Sequence, residues 1–305
     1  MLLAALFVGC SKDNEEPAAP ATKRINIFAG AMGGNGSKVW MNPTDVNASS
    51  VWVPTEQIEL NGTPYEIQSE DSSYYLDVDP APEGTLYAIY PASVNANGNH
   101  IDVSYDGTTA SAVAIHSLAV TFRTVNEVLG HDVYFPMAAT AANGNEGLYF
   151  DHLTGGVTLT LDNNRGSALN VAKLVVTALN ASDQGAIYKD LKPSWAGGMF
   201  PAIPEGEVGE ITGDQSTEFV SSMTLFLRDA DHSTEYKTIA ANGNTGETLT
   251  FCMPLIAKQV KYLQITAYAS DGSQIFQTNK VNLGPENGYD IRVNTLYNLN
   301  PIPIN

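Results

Sequence analysis

Basic side chains are scarce in this chain. Its 305 residues hold 15 Lys and Arg against 33 Asp and Glu, a formal charge of −18. So acidic a chain lacks the clustered cations that neutralise a phosphate backbone, which argues against nucleic acid as a partner. Cysteine is nearly absent, with two in the whole sequence, so neither a disulfide framework nor a Cys-rich metal site can be drawn. The histidines are few and scattered: His100, His116, His131, His152 and His232 include no H-x-H or i, i+4 pair. That leaves out the zinc signatures, and a P-loop is missing too. Gly33-Gly34-Asn35-Gly36 is not a dinucleotide fingerprint, because no helical pattern follows it. Long apolar runs are also lacking. The N-terminal one, residues 2–8, falls far short of the roughly 20 residues that cross a bilayer.

What remains is the composition of a folded β protein. Hydrophobic residues make up 43% and charged residues only 16%, ample apolar surface for a core and unlike a disordered acidic tail. With 26 Gly, 16 Pro and 14 Tyr, the chain suits frequent turns between strands. Apolar/polar alternation predicts strands over 24–30, 51–53, 57–60, 65–68, 74–78, 86–90, 101–105 and 112–122. The series continues over 149–162, 172–179, 222–227, 248–253, 262–269, 274–281 and 289–299. Turn chemistry punctuates it at Asn61-Gly62, Asn97-Gly98 and Asp106-Gly107. Residues 124–129 are expected to form a helical turn, and no segment shows a long 3.6-residue period. Strands of this spacing argue for sandwiches rather than a parallel α/β sheet. The small, polar stretch 138–147 is the expected boundary, giving an N-terminal domain over 24–145 and a C-terminal domain over 146–305.

The N-terminus reads as an address. Residues 2–8 have the length of a secretory h-region, about 7–15 residues. With Val8-Gly9-Cys10 they resemble the lipobox of bacterial lipoproteins, in which the Cys is acylated and becomes the mature N-terminus. Residues 1–9 are then a signal peptide, with the true start expected upstream of Met1, and 10–23 a tether too hydrophilic to pack. Phe7 stands where Leu is usual. Cys252, in the apolar run Leu249-Thr250-Phe251-Cys252-Met253, is expected as a small buried hydrophobe in a strand, not a nucleophile.

No constellation nominates catalysis. Asp77-Val78-Asp79 and Asp229-Ala230-Asp231 each offer two carboxylates to a Ca²⁺ ion, which needs about six to eight oxygens; turn-forming Asp explains both more simply. Trp40, Trp52 and Trp195 suit a sugar platform or, more commonly, a sandwich core. A glycosidase requires two converging carboxylates, and the 33 here single out none. His152, just before an alternating strand, is expected to satisfy a buried backbone group. Neither a catalytic residue nor a cofactor or metal site is expected.

Several stretches, taken together and in order, resemble the fimbrillin family of Bacteroidales. Leu86-Tyr87-Ala88-Ile89-Tyr90-Pro91 is similar to its Tyr-Ala-aromatic-Tyr-Pro strand end, and Phe135-Pro136-Met137-Ala138-Ala139 to its Pro-Met-small segment. Phe150-Asp151-His152-Leu153-Thr154-Gly155-Gly156-Val157 resembles its Phe-x-His-Leu-x-small-x-Val strand, and Phe251-Cys252-Met253-Pro254 with the Asp271-Gly272 turn its ending. Gly284-Pro285-Glu286-Asn287-Gly288-Tyr289 departs from its Gly-x-x-Tyr strand. The resemblance implies an all-β fold of two transthyretin-like β-sandwich domains in tandem, of Greek-key type, and no enzyme activity. It implies a fimbrial (pilus) subunit lipoprotein at the outer membrane. Its partners would be other fimbrial subunits, joined by β-strand addition after loss of the first strand, with host or bacterial surface ligands besides. Processing would fall at Lys38, with Arg24 a second point. The alternating C-terminus changes phase at Pro301 and is expected to close the protein's own sheet edge, which favours a tip, anchor or accessory subunit over a stalk. The alternative is a surface glycan-binding lipoprotein.

Overall fold

A computed structural model describes residues 22–29, 40–41, 50–52, 54, 56–92, 94–96, 99–101, 117–125, 127–143, 145, 147–152, 154–188, 218–255, 257–284, 286–291 and 296–305. Among these residues every regular element is a strand. The all-β expectation holds.

An eight-stranded sheet runs in the order Thr63–Glu66, Gln57–Leu60, Leu86–Tyr90, Met137–Ala141, Leu148–His152, Lys23–Ala29, Ser73–Val78 and Gln68–Glu70. The first strand, Lys23–Ala29, changes partner along its length. Its start pairs antiparallel with Ser73–Val78, from Lys23 opposite Val78 to Asn26 opposite Tyr75. Its end pairs parallel with Leu148–His152, from Ile27 opposite Leu148 to Ala29 opposite Phe150. Period-2 alternation buries Ile25 and Ile27 while Phe28 stays exposed. Ile25 and Ile27 join Trp52, Ile58, Leu76 and Phe150 in the first hydrophobic core.

A nine-stranded sheet follows the order Gln274–Gln277, Tyr262–Tyr268, Lys173–Leu179, Ser222–Asp229, Ser117–Val125, Val128–Asp132, Trp40–Met41 and Ser50–Val51, with Val281–Asn282 also on Tyr262–Tyr268. Over part of its area it faces a four-stranded sheet in which Gly155–Asn163 is flanked by Thr248–Leu255 and, on the other side, by Leu296–Asn298 and Ile302–Ile304. Ser222–Asp229 alternates half-buried and buried positions along its whole length, as a strand with one face on a core must. Leu118, Val120, Leu159, Leu174, Leu225 and Phe251 belong to the second core.

The buried side chains fall into two clusters, each drawing on residues before and after position 145. Ser117–Val125 runs parallel to Ser222–Asp229, Ser117 opposite Thr224, and Leu118, Val120, Phe122, Val133 and Phe135 pack with residues from the C-terminal half. At the start of the stretch 138–147, Met137–Ala141 is an interior strand between Leu86–Tyr90 and Leu148–His152. Its small side chains suit a strand covered on both faces: Met137 and Ala139 point into the first core, Ala138 into the second. Leu86–Tyr90 behaves alike, with Ala88 and Tyr90 in the first and Ile89 in the second. The described residues of 124–129 form no helical turn. They close a hairpin in which Val125 pairs with Val128, and Glu127 takes the left-handed conformation at φ 66° that a tight hairpin turn requires.

Candidate functional site

Where the chain crosses from one core to the other, residues 133–136 connect Val128–Asp132 of the nine-stranded sheet to Met137–Ala141 of the eight-stranded one. Tyr134, in this crossing, packs against both cores. Beside it the Tyr90 hydroxyl, fully buried at the end of Leu86–Tyr90, donates to Glu56 Oε2. The Glu56 carbonyl accepts from the Ile67 N–H at 2.7 Å, which fixes its backbone. Burial pushes the Glu56 carboxyl up to about 7, with the nearby Asp132 charge adding to the effect; bonds from Tyr90 and Tyr134 and the Arg123 charge pull the other way. Both tyrosines are raised in turn, mainly by burial and then by Glu56. Arg123 Nε and Nη2 hold Asp132 in a two-pronged pair at 2.7 and 3.1 Å. This is a polar cluster built into the junction of the two cores.

On the second core, His131 reaches across the sandwich. Its ring is completely buried; Nε2 accepts the Cys252 N–H at 2.9 Å and lies 3.0 Å from the Cys252 carbonyl. Thr248–Leu255 is an outer strand of its sheet, so its unpaired edge needs such a partner. Cys252 itself is a buried free thiol, as expected, and burial pushes it up to about 12. The site is structural in kind, with a thiol held far from its reactive form.

The other residues singled out by sequence occupy separate places. Asp77 lies 3.7 Å from Arg24 Nε. Asp229 pairs with Lys237 at 2.8 Å in a nearly buried bridge, and Asp231 accepts from the Thr124 N–H and hydroxyl at 3.1 and 2.9 Å. Asp77, Asp229 and Asp231 are thus engaged locally, and among the described residues no group of His, Cys, Asp or Glu is arranged to hold a metal ion. Trp52 is a core residue, edge-on to Tyr90 and Phe150 at 5.0 and 5.3 Å. Trp195, the Trp40 side chain, His116, Cys10 and Lys38 lie outside the described residues. His152 is buried with its ring edge-on to Phe135 at 5.7 Å, and His232 is exposed. Arg24 sits in the first strand opposite Asp77, bonded to Glu70 at 2.6 Å with its guanidinium 3.7 Å from the Tyr75 ring centre.

The tail pairs with the protein's own sheet. Leu296–Asn298 and Ile302–Ile304 both run parallel to Gly155–Asn163. Asn298 stands opposite Thr158 and Ile302 opposite Leu161, so one extra residue lies between them on the tail, where the phase changes. Sequence reasoning missed a groove beside this tail. Its volume is about 650 Å³, and it opens between residues 298–305 and the outer strands Gln274–Gln277 and Val281–Asn282 of the facing sheet. It also missed a stacked aromatic pair on the outer face of the first strand, Phe28 and Tyr149, with centres 4.7 Å apart.

No protein-family model and no curated protein matches the chain. Among solved structures it is similar to a "putative cell adhesion protein" from Bacteroides ovatus, at 13% identity and TM-score 0.42 over 91% of this chain and 92% of that one. A protein of the same description from Bacteroides fragilis gives 10% and 0.39, over 90% and 91%. Superpositions of this quality leave family and function to the chain's own residues.

Proposed function

We propose that the protein is a cell-surface fimbrial subunit, structural or adhesive, anchored at the outer membrane through acylated Cys10 and joined to other subunits by β-strand addition. The observation that carries this is the seat of the first strand. Lys23–Ala29 links two strands from distant parts of the chain, Ser73–Val78 at its start and Leu148–His152 at its end, and it buries Ile25 and Ile27. Take it away, and the eight-stranded sheet is left with a slot for an extended segment of matching alternation. The ordered motifs from Leu86 to Gly272 support the same reading, with tandem transthyretin-like sandwiches as its fold.

Processing at Lys38 is favoured over Arg24, because Arg24 lies in a paired strand where a protease cannot draw the backbone into its cleft. An accessory, tip or anchor role is favoured over a stalk. The tail that would serve as a donor is already laid against Gly155–Asn163.

Immunogold labelling of intact cells should decorate filaments, or their bases or tips. Label confined to the cytoplasm, or to a bare cell surface without filaments, would overturn the fimbrial assignment. Cys10→Ser should shift the protein from the membrane to the soluble fraction and abolish palmitate labelling, since stable anchoring takes two or more chains.

A further inference from the structure

We propose that the groove beside the C-terminal tail binds an uncharged saccharide. This goes beyond the fimbrial reading and does not depend on it. With a volume of about 650 Å³, the groove falls within the size range of ligand sites. Phe276, Leu299 and Ile302 give it apolar surface, while Asn279, Asn298 and Asn300 bring amides to its rim.

Its charge pattern is unlike that of the whole molecule. The chain has 33 carboxylate side chains, yet none lines the groove, and Arg165 is the one charged side chain that does. Arg165 is already engaged. Its Nε donates to the Asn305 carbonyl at 3.1 Å and its Nη1 to the Ile275 carbonyl at 3.4 Å, which ties the two sheet edges together at one end. Arg165 keeps its charge but is held at that end, so most of the groove's length offers a ligand only neutral groups, and a cationic ligand meets no carboxylate side chain.

The backbone chemistry of the tail gives a β-strand no ladder along that wall. The Ile304 carbonyl accepts from the Asn164 N–H, so Ile304 faces the inner strand and alternation turns Pro303 toward the groove. Pro301 also lines it. Neither proline has an N–H, so this edge offers carbonyls without matching donors and cannot form a ladder. A sugar hydroxyl does not need a ladder. Each can donate to a bare carbonyl or amide oxygen and accept from an amide NH₂, while the C–H faces of the ring lie on the apolar surface.

Saturation-transfer NMR on the full chain, with cellotetraose, maltotetraose, mannotetraose and chitotetraose at millimolar concentration, tests this. At least one should bind. The double variant Asn279→Ala, Asn300→Ala should weaken that binding by about tenfold or more at an unchanged melting temperature. Tyr149→Ala, on the stacked aromatic pair of the other sheet, should leave it intact. The proposal fails if none of the four binds, if the double variant binds as well as the native chain, or if binding is lost only with Tyr149→Ala. It fails equally if a β-branched decapeptide occupies the groove and the sugars do not.

Discussion

Replacing Glu56 by Gln should flatten the dependence of stability on pH. In the folded protein burial carries this carboxyl from an ordinary 4.5 up to about 7. At about 1.4 kcal/mol for each tenfold change in proton affinity, the shift is worth about 3 kcal/mol. The direction follows from which state holds the proton. Below about pH 4.5 both the folded and unfolded chains are protonated at this position, and the neutral carboxyl costs the fold little. Between 4.5 and 7 the unfolded chain ionises while the folded one retains its proton, so stability falls as pH rises. Above 7 both are ionised, and the loss is complete. Gln keeps the shape and the capacity to accept from Tyr90 but cannot ionise. The measurement is urea unfolding of both proteins between pH 5 and 8. Other carboxylates contribute equally to the two curves, so their difference isolates Glu56. The native chain should lose up to about 3 kcal/mol relative to Glu56→Gln across this interval. Parallel curves, or a difference of opposite sign, would refute the buried, protonated carboxyl at the junction.

His131→Ala leaves the outward backbone of Cys252 unpaired and should cost about 1–3 kcal/mol, read from the denaturant midpoint; an unchanged midpoint would mean that water serves the edge equally well. His152→Ala empties a buried site packed against Phe135 and should lower stability by about 1–3 kcal/mol without altering cell-surface binding, and a loss of binding at constant melting temperature would mark it as a contact residue. Cys252, buried and with its thiol pushed up to about 12, should resist Ellman's reagent in the native protein and react fully in urea. Rapid native labelling would contradict that burial.

Local pattern carried much of the strand structure. Gln57–Leu60 and Leu86–Tyr90 are found at the ends their alternation predicts, and Ser222–Asp229 extends its predicted strand by two residues. What alternation cannot convey is which strands meet. Nothing in residues 117–125 announces a parallel partner about a hundred positions away, because pairing depends on surfaces that exist only after both sheets form. Met137–Ala141 was legible as small, and alanines, frequent in loops, also fit a strand squeezed between two cores. Cys252 could be placed from its apolar neighbours. The Glu56 cluster could not, since its parts come from three segments and only burial gives the carboxyl its character. The groove was invisible for a related reason, as its walls are the edges of two different sheets.

The strands that both cores lean on have a consequence for how the molecule comes apart. Leu86–Tyr90 and Met137–Ala141 place Ala88 and Ala139 in one core and Ile89 and Ala138 in the other, like a party wall between two rooms. Melting either room strips that wall of its cover and exposes apolar surface at about 25 cal/mol for each Å², so the survivor is weakened at once. A tug on one part of such a molecule is therefore shared by both, and calorimetry should record a single endotherm rather than two.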